Sequence, residues 1–377
     1  MPQFQHIGYL TLNRKVNSLS GGEFQRIKLA TSLGSSLVGS LYVLDEPTVG
    51  LHPHNTNKLI EILKSLKKIG NTVIVVEHDE DVIMSSDYLI DIGPGAGSKG
   101  GEVVYAGNTN SINKSTNSPT SNFIFNKKKI KNIEVRKSSK NIIICKAREN
   151  NLQNIDVKIP LECLVVITGV SGSGKSTLIK QILYPALAKR LEKKYEKEGD
   201  YDSLKGDFDN IQNIEMVDQN PVGRSSRSNP ATYSKAYDAI RKIFAAEGFK
   251  SDKSIKPSDF SFNVDGGRCD ECLGEGTQKI EMQFMADLYL ECSACKGKRF
   301  KKRILEVKYN NKNIYDVLEM TIEDSLNFFL ESRVIQKKLK PMYDVGLGYL
   351  RLGQSSSTLS GGEAQRLKLA AYLSDEK

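Results

Sequence analysis

The sequence predicts an α/β fold made of two partial copies of one module, with a four-cysteine insertion in the second copy. Three observations support this prediction. A glycine-rich loop at residues 169–177 stands between a β-branched run and an apolar helical pattern. A short motif near residue 20 recurs near residue 360, and internal repetition indicates two copies of one structural unit. Two C-x-x-C pairs lie between the loop and the second motif.

Length and composition limit the classes of protein to consider. The chain has 377 residues and a formal net charge of +9, which suits two or three domains and an anionic partner such as nucleic acid or a nucleotide, although solvated surfaces are often basic too. No apolar run approaches the roughly 20 residues of a membrane span, and the N-terminus lacks a signal-peptide pattern. Cys145 and Cys163 lie in apolar runs outside the two pairs. We expect a cytosolic protein without a membrane partner.

The loop at residues 169–177 matches G-x-x-x-x-G-K-[ST] at every specified position. Residues 164–168 predict a buried strand before it, and residues 177–183 predict a helix start after it. In such a phosphate loop backbone N–H groups face phosphate oxygens, a lysine reaches the β- and γ-phosphates, and a hydroxyl holds Mg²⁺. The alternative is a glycine-rich turn that binds nothing. The predicted nucleotide-binding residues are Gly169, Val170, Ser171, Gly172, Ser173, Gly174, Lys175, Ser176 and Thr177.

The first part of the chain, residues 1–106, contains a signature segment and two predicted strands. Ser20, Gly21 and Gly22 stand at the start of an apolar helical pattern, where backbone N–H groups can face phosphate. Residues 41–47 predict a strand ending in Asp45, which can hold Mg²⁺, and Glu46, which can polarise the attacking water. Residues 73–76 predict a second strand, with His78 just beyond its carboxyl end. Singly, acidic strand ends and a lone histidine are more often structural, but their order and spacing favour a site.

Residues 107–140 are rich in Asn, Ser, Thr and Lys, which predicts a flexible linker with a solvated lysine run at 127–129. A second domain begins near residue 141 and contains the phosphate loop. Residues 215–217 predict a strand, and the polar loop after it can place Gln219 near the γ-phosphate. Arg224 and Arg227 follow, either near an anion or as surface charge.

The four paired cysteines predict a structural Zn²⁺ site, because their spacing fits C-x₂-C-x₁₅₋₂₀-C-x₂-C. Four thiolates close a tetrahedral site and leave no position for catalysis. A disulfide or non-metal arrangement is the alternative. The predicted ligands are Cys269, Cys272, Cys292 and Cys295, in a cysteine module of about residues 262–303.

A basic run directly follows the last cysteine pair, and it surrounds Phe300, which can pack or stack. We predict that Lys301, Lys302 and Arg303 contact DNA through its phosphates. A solvated surface cluster is the alternative.

The chain ends on a repeat of its beginning. Residues 348–370 reproduce residues 8–30 at an offset of 340 and include a second signature with Ser360, Gly361 and Gly362. Within the printed sequence, the first copy has the acidic strand and histidine, and the second copy has the phosphate loop.

These motifs together resemble the ABC-type ATPases. More narrowly, they resemble the UvrA family, whose members recognise damage in bacterial nucleotide-excision repair. The residues that carry the match lie at 49–52, 75–81, 91–97, 169–176 and 227–232, together with the cysteine pairs and both signatures. Nearly the whole chain is covered, apart from the linker.

The resemblance implies two partial ABC-ATPase modules of P-loop type, with the zinc module inserted in the second. ATP would lie between the phosphate loop of one module and the signature of the other, so residues 20–23 would face residues 169–176. It also implies Mg²⁺ and Zn²⁺ as cofactors, binding of damaged double-stranded DNA, homodimers, and UvrB and UvrC as partners in the SOS response. The family's remaining motifs and its UvrB-contact region would lie outside the chain, so we expect a fragment or the product of a truncated gene.

Other interpretations stay open at this point. Neither partial module in the printed sequence has both a phosphate loop and its own acidic pair, so we expect little or no ATP hydrolysis. Hydrolysis is expected only if the acidic strand of the first module pairs with the phosphate-loop strand of the second, as in a permuted module. A transport ATPase would not be expected to carry a zinc module in its nucleotide domain. A zinc-dependent DNA-binding remnant without hydrolysis is a third class, and a zinc-rich co-chaperone would lack the phosphate loop.

Overall fold

The computed structural model of the chain describes residues 12–13, 27, 38–114, 118–125, 136–170, 172–195, 197–218, 222–223, 227–280 and 288–375. The first signature, with Ser20, Gly21 and Gly22, therefore lies outside the described residues. So do Ser171, Gln219, Arg224 and the lysine run at 127–129. Two compact units make up the chain: Met1–Gly95 with Lys99–Met216, and Ala96–Ser98 with Val217–Lys377.

The first unit contains a pair of parallel strands at the two places where the sequence predicts strands. Strand β1 (Leu41–Asp45) pairs with β2 (Thr72–Val76) so that Asp45 lies opposite Val76. Helix α1 (Pro53–Lys68) connects them, and α2 (Glu80–Ser85) follows β2. Because the carboxyl ends of parallel strands share one edge of a sheet, the polar residues after β1 and β2 converge there.

An antiparallel pair follows in the same unit, and the expected linker packs beside it. Strands β3 (Tyr88–Gly93) and β4 (Glu102–Asn108) lead to a 3₁₀ turn (Thr109–Lys114) and helix α3 (Pro119–Phe125). The Asp91 carboxylate accepts hydrogen bonds from the hydroxyls of Ser118 and Thr120. Ile112 is fully buried. Residues 109–114 and 119–125, within the predicted linker, therefore form a 3₁₀ turn and a helix that bury Ile112 and Ile124.

The rest of the first unit is built on a three-stranded antiparallel sheet. Strand β5 (Asn141–Ala147) begins where the second domain is predicted to begin and lies between β6 (Ile155–Pro160) and β7 (Ser203–Gly206). The predicted helix after the phosphate loop is a π-helix (Thr177–Leu183) that continues into α4 (Tyr184–Arg190).

Two predicted strands, at 164–168 and 215–217, are not formed. Neither segment has a ladder partner among the strands of the described part of the chain. Leu164 and Val166 are 95% and 76% exposed. A β-branched run becomes a strand only where a neighbouring strand satisfies its backbone groups, and that condition is not readable from the run itself.

The second unit is mainly helical around an aromatic core. Its helices are α5 (Pro230–Tyr233), α6 (Ala236–Ser251), α7 (Lys302–Leu305), α8 (Ile314–Glu319), α9 (Ile322–Phe328), α10 (Arg333–Met342) with a π-helical turn (Tyr343–Leu347), and α11 (Gly361–Asp375). The antiparallel strands β8 (Thr277–Ile280) and β9 (Leu288–Glu291) lie between the two cysteine pairs in the sequence. The largest fully buried side chains among the described residues are Phe244, Phe260, Phe262, Phe300 and Phe329. None of the described helices has the length and apolar character needed to cross a bilayer.

Candidate functional site

The phosphate loop has the backbone geometry that its motif requires. Gly169, Gly172 and Gly174 have φ of 150°, 81° and 95°, which residues with a side chain rarely adopt. A Cβ added at Gly174 would also lie 2.8 Å from Leu152 Cδ2. The helix then starts at once, since Leu178 N donates to Gly174 O at 2.9 Å. The loop thus lies at a helix N-terminus, which favours an anion.

Lys175 places its ammonium group over the loop. Its Nζ donates to Gly169 O at 2.7 Å and to Val170 O at 2.8 Å. Both acceptors are neutral carbonyls, so a phosphate oxygen would compete well for the same three donors. The loop therefore places an ammonium group where a phosphate oxygen could replace a carbonyl as acceptor.

Two asparagines that the sequence analysis missed support the loop from outside. Asn151 Nδ2 donates to Gly172 O at 2.8 Å, and Asn150 Nδ2 donates to Gln181 Oε1 at 2.6 Å on the π-helix. Asn150 has φ of 52°, a conformation that Asn tolerates better than most residues. The adjacent Asn pair shortly before the phosphate loop was the available signal in the sequence.

The structure brings together two of the predicted catalytic residues. Glu46 lies just after β1 with φ of 43°, and its N–H donates to Val76 O at 2.9 Å. His78 Nδ1 lies 3.9 Å from Glu46 Oε1. Asp45 is the last residue of β1. The edge therefore presents the Glu46 carboxylate beside the His78 imidazole, with Asp45 one residue before Glu46 in the chain. A carboxylate can bind Mg²⁺, and a carboxylate beside an imidazole can orient a water.

Glu77, a residue without a role predicted from the sequence, organises this edge. Its carboxylate accepts from Thr48 N at 2.7 Å, His78 N at 3.0 Å and Asp79 N at 3.2 Å. Burial acts to raise the pKa of Glu77, but hydrogen bonds from Thr48, His78 and Asp79 outweigh it and leave the pKa below its usual value. One ionised carboxylate thus fixes the loops after both parallel strands.

The second signature forms a capped helix start, as the motif predicts. Ser360 N donates to Glu363 Oε2 at 2.8 Å, and Glu363 N donates to Ser360 Oγ at 3.3 Å. This reciprocal pair is a capping box, and we call residues 360–363 the signature turn. A Cβ added at Gly361 or Gly362 would meet no atom within 4 Å. The fold itself therefore leaves both glycines open to an approaching ligand.

The four paired cysteines converge in the second unit. All are buried, and their Sγ atoms lie within 4.8 Å of one another. Cys269 Sγ is 3.9 Å from Cys292 Sγ, and Cys272 Sγ is 3.6 Å from Cys295 Sγ. A tetrahedral Zn²⁺ with Zn–S bonds of about 2.3 Å separates its sulfur ligands by about 3.8 Å. The donor set and spacing therefore fit zinc.

The pKa shifts of the thiols differ in direction. Burial raises the pKa of Cys272 and of Cys295, whereas at Cys292 hydrogen bonds outweigh burial and lower the pKa. Four adjacent thiolates would repel one another, and a bound cation would offset that repulsion. Each cysteine pair lies in a tight backbone turn, here called a knuckle. In the first knuckle Glu275 N donates to Cys272 O at 2.9 Å, and in the second Lys298 N donates to Cys295 O at 3.0 Å.

The basic run after the cysteines is partly paired with acidic residues. Lys301 Nζ lies 2.8 Å from Asp270 Oδ2, and Arg303 Nη2 lies 3.5 Å from Asp259 Oδ1. Lys302 is exposed at the start of α7. Phe300 is only 2% exposed, so it packs in the core and is not available to stack on a base.

Comparisons with known proteins agree with this geometry. A family profile described as "AAA domain, putative AbiEii toxin, Type IV TA system" matches residues 12–85. "UvrABC system protein A" of Clostridium tetani is 53% identical over 370 residues, which cover 98% of this chain and 39% of the relative. The chain belongs to the UvrA family. The corresponding UvrA protein of Staphylococcus epidermidis is 51% identical over 367 residues, or 97% of this chain and 39% of the relative.

The crystal structure of UvrA2 from Deinococcus radiodurans has the same fold. It superposes with a TM-score of 0.91 at 45% identity, covering 97% of this chain and 44% of that chain. The predicted fold class, α/β with P-loop modules of the ABC-ATPase type and a four-cysteine cluster, is confirmed. The chain spans 39% of the length of the curated UvrA relatives named above.

The carboxylate of Glu77 predicts a pH-dependent contribution to stability. A lowered folded pKa means that the stabilisation is fully present above the unfolded value of 4.5 and is lost as pH falls through the lower folded value. At pH 7, Glu77→Gln should lower the thermal midpoint by about 2–3 °C, as expected for loss of one charged hydrogen bond. Thermal unfolding of both proteins between pH 7 and pH 3 should show this difference shrinking on acidification. Glu61→Gln, at an exposed site on α1, serves as the control, and a Glu77→Gln difference that is constant with pH would contradict the assignment.

Proposed function

We propose that this chain supplies nucleotide-binding and DNA-binding parts of a UvrA-type, damage-recognition ATPase of bacterial nucleotide-excision repair. The observation that carries the proposal is the phosphate loop, in which three glycines with positive φ and Lys175 surround the N-terminus of a helix. The relatives' name, UvrABC system protein A, supports the repair context.

The nucleotide would be ATP with Mg²⁺. Lys175 would turn from the loop carbonyls to the β- and γ-phosphates, and Ser176 would bind the metal. At the signature turn, Ser360, Gly361 and Gly362 offer an open helix N-terminus to a phosphate. Gln219 and the first signature, with Ser20, Gly21 and Gly22, would act on the γ-phosphate by family analogy.

Hydrolysis would depend on the acidic edge after β1. Asp45 would hold Mg²⁺, Glu46 would polarise the attacking water, and His78, 3.9 Å from Glu46, would help to orient that water. Within the printed sequence, this edge and the phosphate loop come from different modules. We therefore propose that the 377-residue chain binds ATP but turns it over slowly, if at all.

The DNA contact would lie on the cysteine module. The closed Cys₄ site would hold a structural Zn²⁺, which supplies rigidity and takes no part in chemistry. Lys301, Lys302 and Arg303 lie next to it in the sequence, and Lys302 and Arg303 are exposed. Lys301 and Arg303 would exchange their aspartate partners for DNA phosphates. Dimerisation, a cytoplasmic location, an SOS-response role and contacts with UvrB and UvrC belong to the same proposal.

ATP binding is tested by substitution of the phosphate-loop lysine. Lys175→Ala should weaken Mg-ATP binding at least tenfold, since about 1.4 kcal/mol or more is lost with a charged hydrogen bond to phosphate. Isothermal titration of the purified chain measures this directly. Lys180→Ala changes an exposed lysine of the adjacent π-helix and should leave the affinity unchanged. Equal affinity in the parent chain and Lys175→Ala would contradict the proposal.

The rate of phosphate release from ATP tests whether the acidic edge after β1 serves the phosphate loop, as it would in a permuted module. The parent chain should release little phosphate from ATP. If instead it hydrolyses ATP at a rate typical of ABC ATPases and Glu46→Gln abolishes that rate, the first acidic edge serves the second phosphate loop. Turnover that is indifferent to both Lys175→Ala and Glu46→Gln would come from a contaminant.

DNA binding is tested by its dependence on salt. Changing Lys301, Lys302 and Arg303 together to Ala should weaken duplex binding about equally across sequences. It should reduce the log–log salt slope by about 0.9 for each phosphate that the variant no longer neutralises. Fluorescence anisotropy at several salt concentrations gives both quantities.

A matched control separates position from total charge. Lys308, Lys312 and Lys337 are exposed elsewhere on the second unit, so their joint change to Ala removes the same charge. This variant should keep nearly the full slope. Unchanged affinity and slope in the Lys301, Lys302 and Arg303 variant would show that the basic run does not bind DNA.

A further inference from the structure

The signature turn is preceded by residues 349–356, here called the connecting segment, which is firmly held within the second unit. Leu352 N donates to Met320 O at 2.9 Å, and Gly353 N donates to Leu318 O at 2.7 Å. A Cβ added at Gly353 would lie 2.9 Å from Leu318 Cβ. The backbone of the connecting segment therefore lies directly against the end of α8.

The second cysteine knuckle reaches this segment through Arg299. The residue has φ of 69°, and its carbonyl accepts a hydrogen bond from Cys269 N at 2.8 Å. Its Nη2 donates to Gly353 O at 3.1 Å, while its guanidinium lies 5.9 Å from the centre of the Phe262 ring. One residue thus binds a cysteine turn with its backbone and the connecting segment with its side chain.

The first knuckle reaches the same segment by a separate route. Glu275, whose N–H closes the Cys272 turn, lies 3.5 Å from Arg227 Nη2 in an ion pair. Ser228 follows Arg227 in the chain, and its carbonyl oxygen accepts a hydrogen bond from Ser356 N at 2.7 Å. Both halves of the metal site are therefore connected to residues 353–356.

Tyr349 connects the other end of the segment to the signature turn. Its hydroxyl donates to Glu363 Oε1 at 2.6 Å, and the second oxygen of that carboxylate accepts from Ser360 N at 2.8 Å. Burial and the Glu363 hydrogen bond raise the pKa of Tyr349, so the hydroxyl remains a donor at neutral pH. The capping carboxylate is thereby fixed from both sides.

We propose that Arg299 and Tyr349 are positioning residues through which the metal-closed cysteine module sets the geometry of the signature turn. Removal of the metal would free both knuckles, and with them Arg299 and Glu275, so the connecting segment would no longer be fixed to the cysteine module. The inference rests on the proposed function only in treating the signature turn as a nucleotide contact.

Amide hydrogen exchange on the full zinc-loaded chain tests the proposal. Arg299→Met keeps the apolar stem and removes the donors, so exchange across residues 349–364 should accelerate about tenfold, as expected when one charged hydrogen bond is removed, with zinc content unchanged. Tyr349→Phe should accelerate exchange at residues 360–364 and leave the amides around the cysteines unaffected. Lys308→Met, at an exposed position of the same unit, should change neither region.

Unchanged exchange at residues 349–364 in Arg299→Met, with zinc retained, would overturn the proposal. If that variant loses zinc, chelation of the parent chain decides instead. Chelation should accelerate exchange at residues 349–364 as well as around the cysteines, and acceleration confined to the cysteines would overturn the proposal. Neither measurement needs nucleotide, so a failure of ATP binding would refute the proposed function and leave this coupling standing.

Discussion

Four thiol groups from two segments of the chain converge within 4.8 Å, and the packing around them depends on that convergence. The segment before the first cysteine pair contributes Phe262 to the core, and the segment after the second contributes Phe300, with ring centres 6.3 Å apart. Burying one such ring is worth about 1.5–3 kcal/mol, whereas structural Zn²⁺ in small domains contributes about 10–16 kcal/mol at neutral pH. Metal binding would therefore stabilise the approach of the two segments more than the packing of either ring does.

The proposed nucleotide sites depend on a different constraint, the alignment of strand and helix ends. Parallel pairing of β1 and β2 brings Glu46 and His78 to one edge of the sheet, and the ionised Glu77 binds both loops there. Helix N-termini provide the corresponding alignment at the phosphate loop and the signature turn. At helix N-termini the backbone N–H groups would bind phosphate, so the position of the backbone matters there more than the identity of the side chains.

The sequence predicts two kinds of feature: elements that follow from a local residue pattern, and the metal site, whose ligands are identified by residue type and spacing. The strands at β1 and β2, the helix after the phosphate loop and the convergence of Cys269, Cys272, Cys292 and Cys295 are all present. Strands at 164–168 and 215–217 are absent because strand formation needs a ladder partner that a local pattern does not reveal. The hydrogen bond between Arg299 and Gly353 joins residues 54 positions apart, and no local pattern signals it. The catalytic, nucleotide-binding and DNA-binding assignments remain predictions.

Zinc content measured together with unfolding tests the central claim most directly. The parent chain and Cys163→Ser, a change outside the cluster, should each bind about one zinc and lose near-ultraviolet circular dichroism when the metal is chelated. Cys272→Ser should bind no zinc and should already lack that signal, because Phe262 and Phe300 are no longer held together. A zinc-free parent chain with the same unfolding midpoint and spectrum as the zinc-loaded one would contradict the account.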